Sequence, residues 1–196
     1  MSDTNTFTSY HVGVAAEAIV AALFARCGVD VSVQYGANQP EYDLIVSRGE
    51  QMLKVSVKGS QDGSWGLCQS QLERGTADYH AAIQKWEEKH KPQTVMCFVQ
   101  FKGVGHTDMP RVYLAWPAEV AERLRATAKG RGDTILYEHH KWTDRAHGSG
   151  TEEHIPESWL FTSDRVQHLL AEADPRHPRE DFSPLMPERH AAGGPS

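Results

Sequence analysis

The chain is poor in cysteine, has no long apolar run and shows no excess of basic charge. Three cysteines in 196 residues, Cys27, Cys68 and Cys97, are an odd number, widely spaced in apolar surroundings. That pattern suits reduced thiols in a cytoplasmic protein better than a disulfide framework. No segment approaches the roughly 18 apolar residues of a membrane span, and Met1 to Ser9 carries neither the basic nor the apolar part of an export signal. No membrane partner is expected. A formal net charge of −6 argues against indiscriminate polyanion binding, although it leaves room for one concave basic face. No internal repeat is present. The length suits a single domain over residues 1–172, with a core at about 10–116 and an extension at about 117–172. Residues 173–196 hold five of the ten prolines and little apolar content, so that tail is expected to be disordered.

What is present reads as helices alternating with strands. Val12, Ala16, Ile19, Leu23 and Cys27 recur at the spacing of one helix face, with Thr8 or Ser9 to cap the start and Gly28 to stop it. This predicts a helix over about residues 9–27, with Glu17 at the margin of the apolar stripe, its carboxylate directed along a sheet edge. Val29 to Gln34 reads as a strand and Tyr35 to Pro40 as a loop. Residues Gly59 to Gly75 are polar enough to be a binding loop anchored by Trp65 and Leu67. A second helix is predicted over about 77–90, then antiparallel strands at 94–101 and 111–116, and a third helix from Pro117 to about Thr127. Thr134 to Glu138 is expected as an edge strand, Ile155 to Leu160 as an ordered segment, and a last helix contains Val166, Leu169 and Leu170.

The most informative stretch is Pro40-Glu41-Tyr42-Asp43-Leu44-Ile45-Val46 followed by Val55-Ser56-Val57-Lys58. Ser47-Arg48-Gly49-Glu50 between them is turn-like, which makes an antiparallel hairpin the natural reading. The start of the first strand then faces the end of the second, bringing Asp43 and Lys58 together. With Glu17 on the preceding helix, this arrangement resembles the PD-(D/E)XK phosphodiesterase superfamily, in which a helix Glu, a strand Asp and a Glu-x-Lys or Gln-x-Lys meet at one sheet edge. The resemblance covers about residues 10–116. It implies an α/β, restriction endonuclease-like mixed central sheet flanked by helices, with an α-β-β-β-α-β-β core. It also implies a site of Glu17, Asp43, Ser56 and Lys58. Ser56 stands where the family has an acid or amide, a degenerate form of the third motif.

Chemistry explains why these residue types belong together. Mg²⁺, or Mn²⁺ in its place, takes hard oxygen ligands and keeps several waters. The resemblance implies that Asp43 and the Val57 carbonyl hold it, with Glu17 directly or through water. Lys58 is expected to orient the attacking water and offset charge developing on the phosphate. Gln69, Gln71 and Glu73 are candidates to replace the ligand lost at Ser56, and Ser60 and Gln61 could meet a phosphate or simply satisfy a loop. The function implied is a metal-dependent endonuclease hydrolysing DNA, acting as a homodimer where two strands are cut. The alternative is a catalytically impaired nuclease fold serving as a nucleic-acid-binding or protein-assembly module. Elsewhere, His139, His140, His147 and His154 invite a zinc hypothesis, but their spacing matches no familiar site. Lys141, Trp142 and Arg145 read as a solvated loop with one packed Trp, and Arg125, Lys129 and Arg131 as charges complementing the third helix's dipole.

Overall fold

The computed structural model describes residues 7–34, 41–73, 75 and 77–173. Helix α1 spans Ser9–Arg26 and opens on a reciprocal cap between Thr8 and His11: the His11 N–H donates to the Thr8 hydroxyl, and the Thr8 N–H donates to the His11 ring. Gly28, at a φ of 71°, supplies the left-handed residue that releases the chain from the helix. The fully buried face is Val12, Ala16, Val20 and Phe24. Ile19, Leu23 and Cys27 flank it half-buried, so the stripe is rotated slightly from the predicted one.

Strands β1 (Asp30–Val33), β2 (Leu44–Arg48) and β3 (Gln51–Ser60) form an antiparallel meander. β3 also pairs in parallel with β5 (Thr94–Gln100), and β5 pairs antiparallel with β6 (Arg111–Ala115), giving the order β1-β2-β3-β5-β6. A parallel pair demands a crossover, and helix α2 (Tyr79–Glu87) lies within it. Helices α3 (Pro117–Ala126) and α4 (Ser163–Glu172) complete a mixed five-stranded sheet flanked by helices. Every residue of β5 is buried, as the apolar run from Val95 to Val99 requires of a strand covered on both faces. α1 and α4 pack against Leu44, Val46, Leu53, Val55 and Val95. α2 and α3 cover the other face at Met96, Phe98, Tyr113 and Ala115.

Several expectations need correction. The hairpin turn is Gly49-Glu50 alone, and β3 runs on through Gly59 to Ser60, so Lys58 lies inside the strand. The predicted binding loop is in part a strand: β4 (Ser64–Gly66) pairs with β7 (Ile135–Tyr137), with Trp65 and Cys68 buried beneath. That pairing forms a separate two-stranded sheet, so the segment expected as an edge strand does not join the main one. The solvated loop expected around Trp142 is the turn of a short ribbon, β8 (His139–Lys141) against β9 (Glu152–His154). Cys27, Cys68 and Cys97 are free thiols, and burial pushes Cys68 up to about 12. Among the described residues, no helix is long and apolar enough to cross a membrane. The loop at 35–40 and the tail beyond Ala173 lie outside the described residues.

Candidate active site

Asp43 sits one residue before β2, where the ladder register of Leu44 with Val55 sets it beside Ser56. Its backbone N–H donates to the Val55 carbonyl at 2.8 Å, and its Oδ2 accepts the Val57 N–H at 2.6 Å. The carboxylate thus takes the place of the backbone partner that β2 no longer provides. Peptide groups two apart on a strand point the same way. Since Val55 directs its carbonyl at β2, Val57 directs its own past the end of β2, next to the Asp43 carboxylate. Ser56 pairs with Met96 on the α2–α3 face and is only 2% exposed. Lys58, two residues on, shares that face but is exposed, and its carbonyl accepts the Trp65 indole N–H at 2.9 Å.

Glu17 projects from α1, on the opposite face of the sheet, and lies close enough to this edge to feel both charges. Its carboxyl is raised above the ordinary glutamate value of 4.5, first by burial, then by the negative charge of Asp43, with the Lys58 ammonium pulling the other way. Glu17 therefore lies within the field of both Asp43 and Lys58. A raised native value means that ionised Glu17 opposes folding: stability associated with this group is full below the unfolded value and is lost as pH rises through the native one. Glu17→Gln is therefore expected to raise the metal-free melting temperature at neutral pH and not at pH 4. Solvent screening of a half-exposed group keeps the gain near 0.5 kcal/mol, about 1–2 °C. Paired melting curves at the two pH values check this, and equal shifts at both would refute it.

The structure adds two residues that the sequence reading passed over. Glu41 Oε1 accepts the Lys91 N–H at 3.0 Å and the Thr94 hydroxyl at 3.2 Å, tying the approach to β2 onto the start of β5. His90 packs edge-on against Trp86, with centroids 4.6 Å apart, and neither buried ring nitrogen has a partner among the described residues. Burial lowers His90 below 6.5; the Glu41 charge opposes this, and the Lys58 and Lys89 charges reinforce it. The His90 ring thus lies within the field of Lys58. In the sequence His90 stands between Lys89 and Lys91, which reads as a solvated helix end and carries no signal of burial.

Other candidates are engaged elsewhere. Glu73 pairs with Lys85 at 2.6 Å, the Gln71 amide donates to Ser70, and the Gln69 side chain lies against Gly66. Ser60 donates to Asp62 and Gln61 to the Phe7 carbonyl, as loop residues do. Arg125 pairs with Glu87 at 2.8 Å, and Arg131 stacks on Tyr79 with 5.0 Å to the ring centroid. Trp142 is packed between Tyr137, His140 and Gly148. No protein-family model matches this chain, and neither the curated proteins nor the solved structures hold a match to it.

Proposed function

We propose that this chain is a Mg²⁺-dependent endonuclease of restriction endonuclease-like fold that hydrolyses DNA phosphodiester bonds, in the manner of the PD-(D/E)XK proteins it resembles. The observation that carries the reading is that the Asp43 carboxylate accepts the Val57 N–H at the end of β2 while Glu17, on α1, lies within the field of both Asp43 and Lys58. Their donor chemistry fits a hard cation: the second Asp43 oxygen, the Val57 carbonyl and Glu17 are all oxygen ligands. Ser56, nearly fully buried beside Asp43, offers only a hydroxyl, suited to a metal-bound water and not to a direct anionic bond. A bound Mg²⁺ supplies charge neutralisation of the scissile phosphate and a more acidic water.

The residues do the remainder. Asp43, held by the Val57 N–H, keeps one oxygen fixed toward the open edge. Lys58, on a strand locked between β2 and β5, presents its ammonium to the attacking water and to the oxygen on which negative charge grows. Glu17 closes the site from the α1 side. Two cuts in a duplex call for two such edges, so the chain is proposed to act as a homodimer on DNA. The buried Ser56 favours a second reading, in which the fold binds nucleic acid or a protein partner without cutting.

The test is to incubate the purified chain with supercoiled, linear, branched and single-stranded DNA in Mg²⁺ or Mn²⁺, beside Asp43→Ala. Cleavage by the wild type that Asp43→Ala abolishes is expected. Cleavage undiminished in Asp43→Ala overturns the mechanism, and retention of DNA without cleavage of any form establishes the second reading.

A further inference from the structure

The β8–β9 ribbon carries its residues on two faces with different fates. Glu153 points inward: its carboxylate accepts from Arg123 at 2.5 Å, from the Ala128 N–H at 3.1 Å and from the Trp142 indole at 3.3 Å. Those three bonds, from α3, its C-terminal turn and the ribbon's own turn, fix the ribbon to the body. Its exits are tied as well, by Ile155 N–H to the Glu138 carbonyl at 2.9 Å and Trp142 N–H to the Thr151 carbonyl at 3.1 Å. The outward face holds His139, Lys141, Glu152 and His154, with His139 directly opposite His154 and Lys141 opposite Glu152.

On that face the two imidazoles stack with centroids 4.5 Å apart and 17° between planes. The Glu152 carboxylate bonds the His139 Nε2 and lies 3.7 Å from the His154 Nε2. One ligand atom from each of the three residues falls within 4.8 Å of the others. A tetrahedral zinc with bonds of about 2.0–2.1 Å holds its ligands about 3.3 Å apart, which these positions reach by small side-chain rotations. We propose that His139, Glu152 and His154 form a binding site for a first-row transition cation, Zn²⁺ in particular, with a fourth position left to water.

Two imidazoles and one carboxylate are borderline and hard donors with no thiolate, a set that zinc accepts and that leaves magnesium without the oxygen ligands it requires. The open position faces a cleft of about 240 Å³, lined in part by Arg111, Tyr113, Glu138 and Glu157. Arg111 and Tyr113 are held by Glu138, with bonds of 2.6 and 2.8 Å, so that wall is preset. Lys141 is the one cation on the outward face, and its exposed ammonium can swing away into solvent. The four histidines of this region are thereby divided: His139 and His154 are ligands, His140 packs against Tyr137 and Trp142, and His147 stands outside the group. The site owes nothing to the Glu17, Asp43 and Lys58 edge.

The test is a Zn²⁺ titration of the full chain in competition with a chromophoric chelator. One zinc per chain is expected. His139→Ala, His154→Ala and Glu152→Gln are each expected to weaken it by at least about tenfold, since losing a ligand exceeds the loss of a residue that only supports one. His140→Ala, His147→Ala and Asp43→Ala are expected to leave it unchanged. All six positions can be checked for folding by circular dichroism. Failure of the wild type to compete for zinc overturns the proposal. So does undiminished binding in a chain lacking all three ligands, and so does loss that follows Asp43→Ala instead.

Discussion

Lys58→Ala is expected to lower the rate of Mg²⁺-dependent DNA cleavage by about 10²–10⁴-fold at saturating metal, with roughly the same Mg²⁺ concentration for half-maximal rate. The Lys58 side chain is exposed, so truncation leaves no cavity. What holds the position is its backbone, paired with Phe98 of β5 and accepting the Trp65 indole N–H, and alanine keeps both. Loss should therefore fall on the chemical step. Asp43→Asn should do the reverse. The amide oxygen can still accept the Val57 N–H, preserving the local structure, but the anionic ligand is gone and more Mg²⁺ is needed for the same rate. Rates measured against Mg²⁺ concentration for both variants separate the two roles. A Lys58→Ala chain that cuts at the wild-type rate would remove Lys58 from the mechanism, and an Asp43→Asn chain with unaltered metal dependence would remove Asp43 from the metal.

Ser56 lies between these two residues and sets the level of activity to expect. A buried hydroxyl cannot replace an anionic ligand, so the proposed site would hold a cation with fewer charges than in the family resembled. The Asp43 charge, which adds to burial in raising Glu17, works the other way, since a bound cation would relieve it. The balance predicts weak metal affinity joined to a competent geometry.

Much of this edge could be read in the sequence because local signals coincide there. The three-to-four spacing from Val12, the Thr8 cap and Gly28 define α1, and Gly49 between two apolar runs defines the hairpin. The outline of the sheet followed from helix-sized gaps between strands. Legibility failed where an element is made by its surroundings. β4, β7, β8 and β9 are three residues each, too short for any period to emerge. The polar ribbon of β8 and β9 exists because Glu153 reaches Arg123, a contact thirty residues away that no local pattern encodes. His90 was hidden for the same reason, its burial arising from tertiary packing, with its ring edge-on against Trp86. Glu152 was passed over because its place beside the two histidines shows only once the strand register is known.

Gly59 is where fold and site depend on the same atom, and its replacement should have the largest effect on stability. An added Cβ would lie 2.8 Å from Val12 Cγ1, 2.9 Å from the Val12 carbonyl oxygen and 3.1 Å from Ala16 Cβ. The Val12 methyl can turn aside, but the carbonyl belongs to the α1 backbone and cannot. Gly59→Ala must push α1 away from β3, at about 1–3 kcal/mol, or a fall of several degrees in melting temperature for a chain of this size. Glu17 follows Ala16 on that helix and moves with it, while Asp43 and Lys58 stay with the sheet. A misplacement near 1 Å is worth on the order of 10²-fold in rate, so cleavage measured well below the melting temperature should fall more than the unfolded fraction explains. Gly13→Ala is the control. Nothing lies within 4 Å of its added Cβ, and alanine inside a helix gains about 0.5–1 kcal/mol over glycine. That variant should melt higher and cut normally. If Gly59→Ala melted and cut like the wild type, the close contact of α1 with β3 would not be what positions Glu17.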